Sequence, residues 1–166
     1  MGLFSKLKEH AETKKQISVR LSLVEGLPMP RGNKTFIIVD PKTNEMKFGE
    51  SLFSLDNLIT LNMDKVNFVE TSKVSEVLEK DKSVLKRAAV GTLLGPVGAI
   101  VGGMSGIGSK KKEKNNRIIV IGYMSDGEQK QITFMDGKGT TPNGIWTLEG
   151  EVQKYLNDKE NKGIEL

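Results

Sequence analysis

Between Ala88 and Gly108 the chain runs for 21 residues without a charge and places seven glycines, at positions 91, 95, 98, 102, 103, 106 and 108. Gly91, Gly95, Ala99 and Gly103 recur every four residues, and Gly98, Gly102 and Gly106 do the same on a neighbouring face. Small residues at this spacing leave a smooth groove along a helix, into which a second backbone fits closely. In water each interior glycine costs a helix roughly 0.5–1 kcal/mol relative to alanine. Such a stretch is ordered only where an apolar surface compensates, either lipid or close-packed protein.

As a straight helix, the segment would reach roughly 30 Å, the thickness of a bilayer core. Gly95-Pro96 lies near its middle, and proline both removes a donor and kinks the helix. Cations flank both ends, Lys86 and Arg87 before it and Lys110, Lys111 and Lys112 after it. A single crossing with equal positive flanks contradicts the usual charge asymmetry. The pattern therefore predicts a helical hairpin within an insert at 84–114. Its arms, Val84–Leu94 and Val97–Ile107, would turn at Gly95-Pro96. Gly91, Gly95, Pro96, Gly98, Gly102, Gly103 and Gly106 are then the candidate contacts to lipid or to a second copy of the chain. Lys86, Arg87, Lys110, Lys111 and Lys112 are the candidate anionic-surface residues, at roughly 1 kcal/mol per cation near anionic headgroups. Packing of the hairpin on its own domain is the third setting.

The basic character is local. Between Lys80 and Arg117 nine cations face two anions, +7, while the whole chain is +4, so the remainder is −3. No stacking aromatics interleave these lysines, which argues against nucleic acid as partner. The chain has no cysteine and one histidine, His10. That removes disulfides, thiolate nucleophiles and histidine- or cysteine-rich metal sites. The sequence holds no complete glycine-rich phosphate-binding motif of the P-loop or dinucleotide type: Gly137-Lys138-Gly139-Thr140 lacks the upstream glycine, and Gly106-Ile107-Gly108 lacks the third. No carboxylate pair marks acid–base chemistry. The expectation is a non-enzymatic protein with no cofactor and no metal. Gly2 is not a myristoylation site, because Lys6 stands where Ser or Thr is required. Residues 1–14 read as a short amphipathic arm around Leu3, Phe4 and Leu7, set either on the domain or on a membrane surface.

Around the insert the period is two. Ile17, Val19, Leu21 and Leu23 alternate with polar residues, which predicts a strand with one buried face. Gly26, Pro28, Pro30 and Gly32 break the chain before a β-branched strand at Lys34–Val39. Asp40–Asn44 reads as a turn, with short strands at Met46–Phe48 and Leu52–Leu55. Leu58–Val69 is a long strand whose phase changes at Asp64-Lys65, which predicts a bulge or break there. Ile118–Ile121 is continuously apolar and suits a central strand. Ser125–Glu128 is a hairpin turn by composition, and Gln131–Met135 is its partner strand. The helix that follows, Ile145–Asn157, sets Ile145, Leu148, Val152, Tyr155 and Leu156 on one stripe, with Trp146 at its flank and Asn143 as N-cap. Residues 158–166 read as a charged tail.

About seven mostly hairpin-connected strands followed by one helix resembles the pleckstrin-homology-like (PH-like) superfold. More narrowly, the chain resembles bacterial PH-like proteins whose barrel carries a glycine-rich apolar insert. The resemblance rests on Val19–Pro28 (VRLSLVEGLP), on Arg87–Lys112 (RAAVGTLLGPVGAIVGGMSGIGSKKK) and on the paired strands that hold Ile132-Thr133-Phe134. The implied fold is α+β but mainly β: a seven-stranded antiparallel barrel or sandwich over 15–160, capped by a C-terminal helix and interrupted by the hairpin. PH domains that bind phosphoinositides cluster basic residues in the first hairpin loop. This loop holds only Arg31 and Lys34, so the resemblance does not carry headgroup recognition into it. The expected function is a cytoplasmic interaction module, peripheral on the inner membrane face through its hairpin, with a protein partner. The alternative is a soluble homo-oligomeric ligand- or protein-binding accessory protein, of bacterial or phage type, assembled through the same hairpin.

Overall fold

The computed structural model describes residues 16–50, 57–76 and 115–162. Seven strands form one antiparallel sheet: β1 (Ile17–Glu25), β2 (Lys34–Asp40), β3 (Glu45–Gly49), β4 (Ile59–Asn62), β5 (Val66–Lys73), β6 (Arg117–Ser125) and β7 (Glu128–Met135). Helix α1 (Gly144–Lys162) ends the order, and residues 74–76 after β5 are also helical. The strands lie side by side as β4-β3-β2-β1-β7-β6-β5.

This order rolls the sheet. β4 and β5 are its two outermost strands, yet only Met63–Lys65 separates them in sequence. The two edges must therefore meet at that corner, a 3-10 turn capped by Asn62, whose side chain accepts from the Asp64 amide. Met63 is buried in the turn and joins the core. The phase change expected at Asp64-Lys65 is this corner, so the Leu58–Val69 run makes two strands rather than one bulged strand. The expected strand at Leu52–Leu55 lies outside the described residues.

Inward-facing side chains from both halves of the rolled sheet fill one core. Val19, Leu21, Ile37, Phe48, Ile119, Ile121 and Phe134 are all part of it. The Phe48 and Phe134 rings stack at 5.9 Å between centroids. Helix α1 covers the open end of the roll. Ile145, Leu148 and Val152, spaced along one stripe, are buried in the same core, with Tyr155 and Leu156 packed at its edge. The stripe is the predicted one, but the helix is longer at its C-terminal end. It continues through Lys162, where the sequence suggested a tail from Asp158. A contact remote in sequence anchors the extra turn: Lys159 Nζ donates to the Asp64 carbonyl at 2.6 Å. Asn143 stands at the predicted N-cap position, immediately before Gly144. Its backbone is left-handed, with φ 56°, and it contributes its carbonyl, which accepts from the Thr147 amide at 3.0 Å.

The β6–β7 hairpin turns at Asp126-Gly127, both at positive φ (56° and 78°). These are the values of a two-residue turn whose twist matches its strands. Strand β6 itself is not central. It is next to the edge, between β5 and β7. Its apolar run nonetheless reflects burial on both faces, since Ile118 through Gly122 are buried without alternation.

Candidate functional site

The glycine-rich insert is the feature that sequence singles out, and the fold fixes where it is rooted. Strands β5 and β6 pair in antiparallel register up to Lys73 opposite Arg117. One step further the Val74 amide donates to the Asn116 carbonyl at 2.9 Å. The chain thus leaves the sheet and returns to it on neighbouring strands, at hydrogen-bonding distance. The candidate contacts Gly91, Gly95, Pro96, Gly98, Gly102, Gly103 and Gly106 lie outside the described residues, as does the hairpin itself. So do the candidate anionic-surface residues Lys86, Arg87, Lys110, Lys111 and Lys112.

The surroundings of the root carry a signal that the sequence reading missed. Trp146 is 47% exposed, and the Arg117 guanidinium sits 4.5 Å from its ring centroid. The two residues are 29 positions apart and meet because α1 begins beside the start of β6. A guanidinium over an indole face is favoured by the ring's negative quadrupole. The same strand end is fixed by Asp136: its carboxylate accepts from the Arg117 amide at 2.8 Å, and its own amide donates to the Arg117 carbonyl at 3.0 Å. Lys73, exposed, lies opposite Arg117 at the root, and the Glu76 carboxylate accepts from its amide at 3.3 Å, so the two cations stand beside two carboxylates and one aromatic ring.

The first hairpin loop, where PH domains that bind headgroups hold their cations, is arranged differently. Arg31 is 3.9 Å from the Glu25 carboxylate. Lys34 donates to the Ser22 hydroxyl. Partial burial, and then the nearby Arg20 charge, push the Lys34 ammonium below its ordinary pKa. Arg20 itself lies 5.1 Å from the Phe36 ring centroid. Arg31 and Lys34 are therefore tied to the sheet and do not form a convergent anion cradle. The Gly137–Thr140 loop also closes on itself: the Gly137 amide donates to the Thr140 hydroxyl at 3.1 Å, and that hydroxyl donates to the Gly137 carbonyl at 2.8 Å.

A cleft of about 310 Å³ opens at the other end of the roll, between the C-terminal half of α1, the β2–β3 turn and the Met63–Lys65 corner. Its floor is apolar, with Ile17, Val39 and Met63, and Asp40, Glu151 and Asp158 place carboxylates around it against one Lys154. Tyr155 closes one side and donates its hydroxyl to Asp64. Burial, reinforced by that carboxylate, raises the phenol above its ordinary pKa. The sequence reading had no signal for this cleft, since it assembles residues from four separate segments. Among the described residues no cluster of His, Cys, Asp and Glu is placed to hold a metal ion. Among the same residues, no helix is long and apolar enough to cross a membrane.

A sequence model of the glycine zipper containing PH domain matches residues 29–136, about two thirds of the chain, and includes the insert. The chain belongs to this family. A search of curated proteins finds no match. The matched span of the glycine-zipper PH domain begins after β1 and ends before α1. The structure supplies both, and with them the strand that joins the two halves of the roll and the helix that closes it. PH-like domains are typically non-catalytic interaction modules, so membership suggests a binding module and does not name the ligand.

Proposed function

We propose that this glycine-zipper PH domain is a non-catalytic docking module. It associates peripherally with an anionic membrane, at the inner face of the cell membrane, through the basic-flanked insert. The observation that carries this reading is the pairing of the two roots, Val74 to Asn116 at 2.9 Å. Because both ends of the insert start from one point, its two basic flanks, Lys86-Arg87 and Lys110-Lys111-Lys112, are tethered to the same end of the domain. That end also exposes Trp146, an amphipathic ring of the kind enriched at membrane interfaces, together with Arg117 and Lys73. The opposite end, with its carboxylate-lined cleft, then faces away from the lipid and toward a protein partner.

Flotation of the full chain with vesicles tests this. Binding is expected to vesicles that contain phosphatidylglycerol and not to pure phosphatidylcholine, with loss of binding as salt rises. Replacing Lys86, Arg87, Lys110, Lys111 and Lys112 by glutamine should abolish it. Trp146, the single tryptophan, supplies a second readout, a blue shift of its emission on binding. No flotation at low salt, or flotation unchanged in the glutamine variant, overturns the proposal. Light scattering without detergent examines the homo-oligomeric alternative, which a monodisperse monomer excludes.

A further inference from the structure

A sheet whose one face holds the core normally shows water its other face, and its strands then alternate buried with exposed. Three adjacent strands here do not. Leu21–Val24 of β1, Ile132–Phe134 of β7 and Ile118–Gly122 of β6 are each buried without a break. The inward members belong to the core cluster, and the outward ones do not. Ile118 is 0% exposed, Val120 1% and Thr133 0%. They are neighbours: Val120 is opposite Thr133, and Ile118 is opposite Met135, which in turn faces Ser22. Val74, also fully buried outside the core cluster, continues the patch beyond the end of β5.

The outward neighbours do not roof this patch. On β5, Ser72 is opposite Ile118 and Glu70 opposite Val120, a short side chain and an exposed one. Phe68 covers only the far end, where its ring occupies the space above Gly122. The described helix does not roof it either, since α1 places its apolar stripe in the core on the opposite side of the sheet. An isoleucine and a valine on a sheet face reach zero exposure only under a further layer.

We infer that the outer face around Ile118, Val120 and Thr133 is the seat of this chain's own glycine-rich insert, which packs on it in cis. Three observations select this occupant. The 38 residues from 77 to 114 leave and re-enter the sheet beside Val74 and Asn116, two pairing steps from Ile118. The insert is the one long uncharged stretch in the sequence, and its glycines allow close approach to a sheet of small and β-branched side chains. The other segments outside the described residues are worse placed. Residues 1–15 join β1 at Ile17, which pairs with Val39 and lines the distant cleft. Residues 51–56 connect β3 with β4, neither of which pairs with β1, β7 or β6. The seat is argued from the buried sheet face alone and stands independently of the membrane reading.

Site-directed cysteines in the full, naturally cysteine-free chain test the seat. Val120→Cys should react with a maleimide at least about a hundredfold more slowly than Thr60→Cys on the exposed edge strand β4, as expected for a site reached only by local opening. Combined with Val120→Cys, at least one of Ala89→Cys, Ala99→Cys and Ser105→Cys should oxidise to a disulfide within a single chain. Replacement of 84–114 by a short linker should restore fast labelling of Val120→Cys, whereas removal of 1–15 should not. Equal labelling of the two single cysteines, disulfides formed only between copies, no disulfide from any pair, or protection lost on removal of 1–15 would each overturn the inference. Vesicle binding is not among these readouts, so failure of the membrane reading and failure of the seat are told apart.

Discussion

Thr133→Val isolates the energetics of the outer face in one atom. Thr133 has no exposure to solvent, and its hydroxyl has no hydrogen-bond partner. A buried hydroxyl without a partner carries a desolvation cost of about 1–3 kcal/mol. Valine keeps the β-branched shape and removes the polar atom, so the variant should be more stable than the parent by about 1–2 kcal/mol. For a domain of this size that corresponds to an increase in Tm of roughly 2–8 °C. Urea denaturation, with the midpoint and slope fitted separately, is the direct measurement, and thermal melting is the check. Thr60→Val, on an exposed position of β4, is the control and should change stability by less than about 0.5 kcal/mol. The burial should also depend on the cover: in a chain whose 84–114 segment is replaced by a short linker, water reaches Thr133 and the gain from valine should shrink toward the control. A destabilised Thr133→Val variant, or a gain equal to that of Thr60→Val, would refute the reasoning, because the hydroxyl would then be satisfied.

Gly122→Ala should destabilise by about 1–3 kcal/mol, since a Cβ at 122 would lie 1.7 Å from the Phe68 ring; the double variant with Phe68→Leu should recover most of that loss in a denaturation cycle. Leu148→Ala removes a wholly buried side chain where α1 meets the core and should cost about 2–5 kcal/mol, read from the urea midpoint. Subtracting the ultraviolet pH titration of Tyr155→Phe from that of the parent isolates the Tyr155 phenol, whose midpoint should lie above pH 10. The sign follows from the raised pKa: the folded state holds this proton more tightly than the unfolded chain, so the contribution to stability is complete below pH 10 and is lost as pH rises through the folded-state value. A Tyr155 midpoint at or below 10 would contradict the burial of the phenol beside Asp64.

The local periodicities carried most of the fold. Alternation at Ile17–Leu23, the β-branched run at Lys34–Val39 and the stripe Ile145–Leu148–Val152 each report which side of the chain meets the core, because burial is periodic in strands and helices. The continuous run Ile118–Ile121 was legible as burial on both faces, but not as a strand one place from the edge; strand position depends on pairings that no short window contains. The C-terminal turns of α1 were illegible for a related reason. Residues 158–162 are polar, and contacts from Tyr155 and Lys159 to a corner some 90 residues away hold that end. The cleft and the Arg117–Trp146 pair are likewise products of topology, with no motif to mark them. The first hairpin loop was legible as poor in cations, and the structure adds that Arg31 and Lys34 face partners on the sheet. The insert residues stood out by composition alone, and the fold adds the place where they are rooted.

That place gives the domain a polarity. Strand β5 runs from the Met63–Lys65 corner to the root of the insert, and its eight residues span about 26 Å. Helix α1 runs between the same two ends in the opposite sense, with Trp146 at the root and Lys159 at the corner; its 19 residues span about 28 Å. Each end therefore has its own chemistry. The root gathers Lys73, Arg117 and Trp146 beside the carboxylates of Glu76 and Asp136, while the corner gathers Asp64 and the cleft carboxylates Asp40, Glu151 and Asp158 with Lys154 and Lys159. An insertion between two paired strands costs little in closure, because its ends are already held together and the entropy of a longer loop grows only with the logarithm of its length. Many hairpins of the sheet could have accepted it on that ground. At the β6–β7 turn, on the opposite end of β6, the same insert would project beside Asp126, Glu128 and Lys130, away from Arg117 and Trp146. Rooted between β5 and β6, the insert leaves the sheet beside Lys73 and Arg117, and the acidic cleft is a full strand length away.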